Sequence, residues 1–388
     1  MLAYIAPILV FGLVVFVHEL GHFLAAKAVG VYTPRFSIGF GKALWRKRWG
    51  ETEYILAALP IGGYVRMASR DDEATAFLEG GSENQAVEKK EKSDSWDPNA
   101  MMPFGPKPIP EHRWFESKPF SSRMLILFAG VTMNIVLSLV VTTGMFAYYG
   151  SPYLSTTADS LFAGKPAAVA GLQHGDSIVA IEGQPVDWDA LVTKVSESPG
   201  VPLRFDVIRA GALRSVTIMP ASDTATNPST GKVVSVGRIG ILPMQGARPV
   251  GLGEAVVSGW RSTWRMAGTV IEALRGLATR RVSASELGGP IMIAQASVQA
   301  ARSGMEHLLF LIALISTNLA VFNLLPIPVL DGGQIVIGIL EGIKGKAFSL
   351  RTREYILRAG IFAVLLLFAF VTYNDLRRLL VSVVQRLG

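Results

Sequence analysis

HELGH, residues 18–22, interrupts an apolar run that extends from Leu2 to Ala26. The HExxH spacing places two imidazoles at i and i+4 on one helix face, where both can bind the same metal ion, and places a glutamate between them. Ionisable side chains inside a membrane helix cost roughly 2.5–3.5 kcal/mol each on insertion scales, so a compensating cation is expected. The pentapeptide therefore indicates half of a metal site in a membrane helix; the alternative is a chance match with satisfied core histidines.

The composition favours a polytopic membrane protein. The 388 residues are 50% hydrophobic and 17% charged, and the mean hydropathy is +0.38. The formal charge of +7 does not indicate nucleic-acid binding, because the basic residues are spread out and several flank apolar runs. The chain has no cysteine, so any zinc site must use histidine and carboxylate ligands.

Four apolar runs approach the roughly 20 residues that cross a bilayer. Basic residues follow the first run and none precedes it, so the positive-inside rule predicts an external N-terminus, a cytoplasmic loop over 27–123 and an external segment over 150–305. The basic loop at 344–358 agrees with this topology, whereas Arg377 and Arg378 disagree with it. The four runs are Leu2–Ala26, Met124–Tyr149, Leu308–Leu325 and Ile356–Tyr373.

The segments between the spans differ in character. Short β-prone pieces separated by Gly and Pro over 35–67 predict strands next to the first span, with a purely structural hairpin as the alternative. Residues 70–120 are polar and predict a flexible insertion. Alternating apolar residues over 150–245 predict a compact, mostly β domain with a short helix at 189–196. Residues 250–285 predict an amphipathic helix, either at the membrane surface or packed in the core.

A second motif, NLLPIPVLDG at 323–332, offers the missing ligand. Catalytic zinc sites commonly have three protein ligands and a water, and Asp331 is the candidate third ligand. The two prolines should end the third helix and leave an extended stretch. The alternative for Asp331 is an N-cap of a helix over 332–340. The predicted topology brings both motifs to a similar depth on the cytoplasmic side.

Together these features resemble the site-2 protease family, and most closely its RseP-like bacterial branch of intramembrane zinc proteases. The resemblance rests on HExxH in the first span, Asn-x-x-Pro-x-Pro-x-Leu-Asp-Gly at 323–332, and a PDZ-like element between them. That element is Pro-Ala…Ala-Gly-Leu-x-x-Gly-Asp within 165–176. Val131 departs from the family pattern, which often has Pro there, and the chain has room for only one PDZ-like domain. Further family-like pieces are LPIGGYV at 59–65, GGPI at 288–291 and Ala129-Gly130…Asn134.

The resemblance implies Zn²⁺ as cofactor, a general base that takes a proton from water, and cleavage of transmembrane segments. An extended substrate would lie beside the strands of 35–67, where glycines permit close approach. The expected site residues are His18, His22 and Asp331 for the metal, Glu19 as the catalytic base, and Asn323, Gly62 and Gly63 for substrate.

The implied substrates are single-pass membrane proteins, of the anti-sigma-factor or remnant-signal-peptide type, cut after an upstream site-1 protease. The implied location is the bacterial inner membrane, with the PDZ-like domain periplasmic, the active site toward the cytoplasm, the lipid bilayer as a partner and no nucleic acid. Two other classes stay open. One is a catalytically inactive PDZ-bearing membrane scaffold, and the other is a transporter whose polar span residues mark an ion path.

The expected fold is a polytopic α-helical membrane protein with about four transmembrane helices, a membrane-associated β-hairpin or sheet, and an inserted PDZ-like α+β domain. The expected segments are 1–34 (first transmembrane helix with HExxH), 35–69 (membrane-associated β region), 70–120 (flexible cytoplasmic insertion), 121–149 (second transmembrane helix), 150–245 (periplasmic PDZ-like domain), 246–305 (amphipathic helix and connector), 306–340 (third transmembrane helix with the Asp motif) and 341–388 (fourth transmembrane helix and tail).

Overall fold

The computed structural model describes residues 2–69, 110–226, 233–281, 283 and 288–387. The chain divides into a first unit of residues 1–146 and 253–388 and a second unit of residues 147–252. The elements are α1 (Leu2–Ala28), β1 (Arg35–Trp49), β2 (Thr52–Arg66), α2 (Phe120–Tyr149), β3 (Ser151–Leu161), α3 (Pro166–Val169), β4 (Ser177–Ile181), β5 (Gln184–Pro185), α4 (Trp188–Ser196), β6 (Leu203–Arg209), β7 (Ala212–Ile218), β8 (Ala221–Thr226), β9 (Val233–Arg238), β10 (Ile241–Arg248), α5 (Leu252–Ala278), α6 (Pro290–Ser303), α7 (Met305–Asn323), α8 (Asp331–Lys344) and α9 (Leu350–Leu387).

Four helices in the described part of the chain, α1, α2, α7 and α9, are long and apolar enough to cross a membrane, which confirms the predicted number of spans. Inside the first unit, Val10 and Val14 of α1 pack against Ile312 of α7, with apolar residues of α2 alongside. The contact between α1 and α2 is close at Gly21, where an added Cβ would lie 2.8 Å from Met133 Cγ. These contacts fix α1 against α2 and α7 around the HELGH segment.

The predicted strands of 35–67 form a small sheet that packs on α1. The first residues of β1 lie in the middle of this sheet, because residues 35–38 pair both with residues 53–56 and with residues 63–66. The Phe36 ring contacts the rings of Phe16 and Phe23, with centroids 5.9 and 5.2 Å apart. The last part of β2 is therefore an outer strand of the sheet.

The prediction of flexibility for 70–120 concerns two different stretches. Residues 70–109 lie outside the described part of the chain. For the remainder the prediction is wrong: a 3₁₀ turn at Glu111–Arg113 is tied to the β region. Arg113 donates to Glu51 at 2.8 Å, and the Arg113 carbonyl accepts from Tyr32 N at 3.0 Å. Burial raises the pKa of Glu51, but hydrogen bonds from Arg113 and Lys27 outweigh burial and hold it below its usual value.

The second unit is the predicted compact, mostly β domain. Its main sheet has the strand order β10-β3-β4-β6-β7, with β5 beside β4, and β8 and β9 form a separate hairpin. The predicted short helix is α4, which Asp187 caps by accepting from Ala190 N at 2.9 Å. The hydrophobic core of the second unit includes the fully or almost fully buried side chains of Ile178, Phe205 and Ile218.

The amphipathic helix predicted over 250–285 is α5, and one face of it packs inside the first unit. Thr142 of α2 donates to the Gly259 carbonyl at 3.3 Å, and Ser138 lies 3.3 Å from Thr263, hydroxyl to hydroxyl. Trp260 and Trp264 lie on an exposed face of the helix. The buried face agrees with the packed-helix alternative.

Candidate metal centre

Two imidazoles and one carboxylate converge in the first unit. The Nε2 atoms of His18 and His22 are 3.2 Å apart. Asp331 Oδ2 lies 3.3 Å from His18 Nε2 and 3.4 Å from His22 Nε2. Both histidines are buried, at 6% and 7% exposure. The three potential ligand atoms all lie within 4.8 Å of one another, so they could hold one metal ion.

A compact turn after α7 delivers Asp331 to this cluster. The prolines end α7 as predicted, but the extended stretch was wrong, because local hydrogen bonds fold the chain instead: Ile327 N donates to the Leu325 carbonyl at 2.7 Å, and Leu330 N to the Ile327 carbonyl at 2.8 Å. Turns satisfy backbone groups that an extended stretch would leave bare.

Asp331 is the first residue of α8, and the N-cap alternative for it is wrong. Leu330 occupies the cap position and makes no side-chain cap hydrogen bond. The close packing of the turn on α8 requires glycine at Gly333, where an added Cβ would lie 2.5 Å from Pro328 Cα. The Asp331 side chain is consequently available to the histidines.

Helix α2 holds both imidazoles, which sequence reasoning missed. The Ile126 carbonyl accepts a hydrogen bond from His22 Nδ1 at 2.8 Å. The Asn134 amide lies 3.3 Å from His18 Nδ1. Between them, Gly130 leaves room for the rings, since an added Cβ would lie 2.8 Å from His18 Cε1 and 2.7 Å from His22 Cε1. The available signal was the i, i+4 spacing of the family-like Gly130 and Asn134.

The cluster fits a divalent metal ion. Asp331 Oδ2 is buried without a hydrogen-bond partner among the described residues, and an unpaired buried carboxylate oxygen is costly. His22 donates from Nδ1, which leaves the Nε2 lone pair facing the cluster. Two imidazoles, one carboxylate and no thiolate form a donor set that zinc accepts in catalytic sites.

The other predicted site residues lie at different distances from this cluster. The Glu19 carboxylate hydrogen-bonds the backbone of Val65, and an added Cβ at Gly63 would lie 3.2 Å from Glu19 Cγ. Asn323 Nδ2 lies 3.0 Å from His18 Nε2. The structure brings these residues together, whereas Gly62, with a φ of +112°, packs on a phenylalanine ring instead.

Comparison with known proteins identifies the family of this chain. The Peptidase family M50 profile matches residues 6–367. The chain is 32% identical to the putative zinc metalloprotease Atu1380 of Agrobacterium fabrum, over 97% of the chain and 96% of that protein. It is 30% identical to zinc metalloprotease RasP of Geobacillus kaustophilus, over 96% and 97%. It is also 30% identical to regulator of sigma-E protease RseP of Salmonella typhimurium, over 96% and 98%.

These relatives match this chain along nearly their whole length, and all three are named as proteases. The match spans the HELGH helix, the turn that carries Asp331 and the helices between them. The family is zinc-dependent, and the His–His–Asp cluster offers the ligands such an enzyme needs. This chain therefore belongs to peptidase family M50, the site-2 proteases, and is a membrane-embedded zinc metalloprotease.

Proposed function

We propose that the protein cleaves transmembrane segments of other membrane proteins, with His18, His22 and Asp331 as zinc ligands and Glu19 as general base. One observation carries the proposal. The His–His–Asp cluster, in which both histidines are buried, combines a membrane-span helix with the first residue of α8, shortly after another span, and Glu19 directly follows His18 in sequence. A site at this position is reached by substrates within the bilayer more readily than by soluble ones.

The roles of the residues follow from their placement. Bound zinc acidifies a water molecule and polarises a peptide carbonyl. Glu19 would take a proton from the water that attacks the peptide carbonyl and pass it to the amine released when the C–N bond breaks, which requires a carboxylate within hydrogen-bond reach of both. Asn323 Nδ2, which lies 3.0 Å from His18 Nε2, is placed to donate to the substrate carbonyl or to its developing negative charge.

The outer strand of the small sheet is the proposed substrate-binding edge. A transmembrane helix hides its carbonyls in internal hydrogen bonds, so it must unwind before hydrolysis, and the freed backbone groups need new partners. Residues 63–66 pair on one side with residues 35–38, and no further strand of the described chain pairs with them on the other side. Because Glu19 hydrogen-bonds Val65 at this strand, an added substrate strand would pass the catalytic base.

An apolar cavity of about 230 Å³ between α5 and α7 supports an apolar substrate. Met266, Val270 and Leu274 line it from α5, and Leu314 and Phe322 line it from α7. Phe322 directly precedes Asn323 in sequence, so the cavity and the proposed substrate contact share the last turn of α7. A large apolar side chain flanking the cleaved bond would fit such a space.

The second unit is proposed to act as a PDZ-like peptide-binding module. Its β10 is the end strand of the main sheet, paired with β3. PDZ-like modules bind extended peptides by strand addition at such an edge. We place this unit in the periplasm of a bacterial inner membrane by the positive-inside rule, where it would restrict cleavage to substrates already shortened by an upstream protease. Anti-sigma factors and remnant signal peptides are the proposed substrate types.

The testing experiment is Glu19→Gln in purified full-length protein. The substitution keeps the shape of the side chain and removes its basicity, so we expect about one zinc ion per chain, as in the wild type, and loss of cleavage of a transmembrane substrate. His18→Ala is the matched control, in which zinc binding itself should fail. Undiminished cleavage by Glu19→Gln, or a zinc-free wild type, would contradict the proposal; a zinc-free wild type is what the inactive-scaffold alternative predicts.

A further inference from the structure

We propose that Asn134 is a positioning residue that fixes the tautomer of His18, by accepting a hydrogen bond from His18 Nδ1–H through its side-chain oxygen. The inference rests on the proposed role of His18 as a metal ligand and deepens it. Nδ1–H held in this way leaves the Nε2 lone pair directed at His22 and Asp331, which is the form of imidazole that binds a metal.

Three observations on Asn134 support the assignment. Its side chain is fully buried, at 0% exposure. Its amide group lies 3.3 Å from His18 Nδ1. The amide oxygen has no hydrogen-bond partner among the described residues, so no other contact fixes which end of the amide faces His18. Rotating the Asn134 side-chain amide by half a turn exchanges its oxygen and nitrogen without moving any neighbouring residue. The amide oxygen, which is an acceptor, then faces His18 Nδ1.

The opposite orientation of the Asn134 amide is incompatible with a metal-bound His18. If the Asn134 amide nitrogen donated to Nδ1, His18 would carry its proton on Nε2. That proton would point toward Asp331 Oδ2 at 3.3 Å, and it would occupy the lone pair through which Nε2 binds a metal. With the Asn134 oxygen accepting from Nδ1–H, Nε2 accepts from Asn323 in the metal-free protein and is available to the metal when it binds.

The second histidine already shows the same arrangement. His22 Nδ1 donates to the Ile126 carbonyl at 2.8 Å, which leaves its Nε2 facing the cluster. Ile126, Gly130 and Asn134 are spaced by four residues on α2, so one stripe of this helix orients one imidazole, makes room for both and orients the other. Histidine ligands that lose such an outer partner commonly lose 10–100-fold in metal affinity.

The test is zinc affinity of the full-length protein in detergent, measured by competition with a chelator. Asn134→Leu removes the acceptor at similar volume, and we expect about 10–100-fold weaker zinc binding. Asn134→Asp keeps only acceptor oxygens, and we expect affinity at or above that of the wild type. Ser138→Ala is the matched control, a buried polar residue one turn further along the same face that contacts Thr263 and Thr317 and not the histidines, and its affinity should not change.

The outcomes separate this inference from the proposed function. Wild-type affinity in Asn134→Leu, or a loss in Asn134→Asp as large as in Asn134→Leu, overturns the tautomer assignment alone. Zinc retained in His18→Ala overturns both. Thermal unfolding in EDTA measures the stability of each variant without the metal. If Asn134→Leu does not fold, the zinc affinity of Asn134→Asp compared with the wild type still tests the assignment. Asn134→Asp has no amide donor, so its affinity would fall if His18 needed a donor rather than an acceptor.

Discussion

Replacing Gly130 with alanine is expected to weaken zinc binding while the chain still folds. The added Cβ would lie 2.8 Å from His18 Cε1 and 2.7 Å from His22 Cε1, well inside the roughly 3.5–4.0 Å of ordinary carbon contacts. His22 cannot retreat easily, because its Nδ1 is bound to the Ile126 carbonyl at 2.8 Å. The rings must therefore shift away from the geometry in which both Nε2 atoms face Asp331.

Overpacking of this kind costs about 1–3 kcal/mol. If the cost falls on the metal-bound state, in which both rings are held, zinc affinity drops about 5- to 150-fold. Chelator competition on the purified full-length protein measures this change. Gly144→Ala is the matched control on the same helix, because an added Cβ there meets nothing within 4 Å, and it should leave zinc affinity unchanged. Zinc binding by Gly130→Ala within about twofold of the wild type would refute the reasoning that α2 packs directly on the ligands.

Three further substitutions test other parts of the account. Gly63→Ala should keep zinc but lower turnover of a transmembrane substrate by about tenfold or more. Its Cβ would lie 2.8 Å from the Ser37 carbonyl oxygen and 3.2 Å from Glu19 Cγ, so the strand and the base beside it must shift, and a small displacement of the base is costly. Asp375→Ala should destabilise the full chain by about 1–2 kcal/mol, since the carboxylate accepts from three backbone N–H groups at the start of α6, each at 3.0 Å. Hydrogen bonds from Arg209 hold the pKa of Asp176 below its usual value in the folded protein. The pair therefore contributes its full stabilisation of the second unit above the unfolded-state pKa of about 3.9. This contribution is lost as the pH falls through the pKa of Asp176 in the folded protein. Asp176→Asn should therefore increase hydrogen exchange in β4 and β6 at pH 7, and the difference from the wild type should narrow near pH 3, with rates corrected for intrinsic exchange.

Each of these substitutions has its own control and its own contradictory result. Gly12→Ala, whose Cβ meets nothing within 4 Å, should leave turnover unchanged. Normal turnover in Gly63→Ala would argue against close packing of this strand on the catalytic base. Asp375→Asn retains one oxygen acceptor and should lose less stability than alanine; equal unfolding midpoints for all three proteins would remove the capping role. Exposed Asp159→Asn should leave exchange unchanged, and a pH-independent effect of Asp176→Asn would show that charge is not what Asp176 contributes.

Local chemistry allowed much of the site to be predicted. Helical geometry alone places His18 and His22 on one face, and the need for a third ligand in a chain without cysteine points to a carboxylate such as Asp331. The spans were predictable because bilayer thickness sets the length of an apolar run. Their helices extend beyond the predicted runs at several ends, since helix caps and flanking polar residues lie outside the apolar pattern.

The partners that orient the ligands could not be predicted in the same way. Ile126 supports His22 through its backbone carbonyl, 104 residues away, and any residue type carries a carbonyl. The need for Gly130 appears only when the distance between α1 and α2 is known. The turn before Asp331 was missed because proline restricts backbone angles without specifying which carbonyls accept hydrogen bonds. Long-range packing decided the first two, and local backbone hydrogen bonds decided the third.

The central claim is that a carboxylate following one span and two histidines of another hold the same zinc ion. Zinc X-ray absorption of Asp331→Cys tests it most directly, because the natural chain has no cysteine and the new thiolate would be the only one. We expect a sulfur neighbour at about 2.3 Å from zinc, and only nitrogen and oxygen neighbours in Gln334→Cys, an exposed position one turn along α8. Zinc bound by Asp331→Cys with nitrogen and oxygen neighbours alone would contradict the claim.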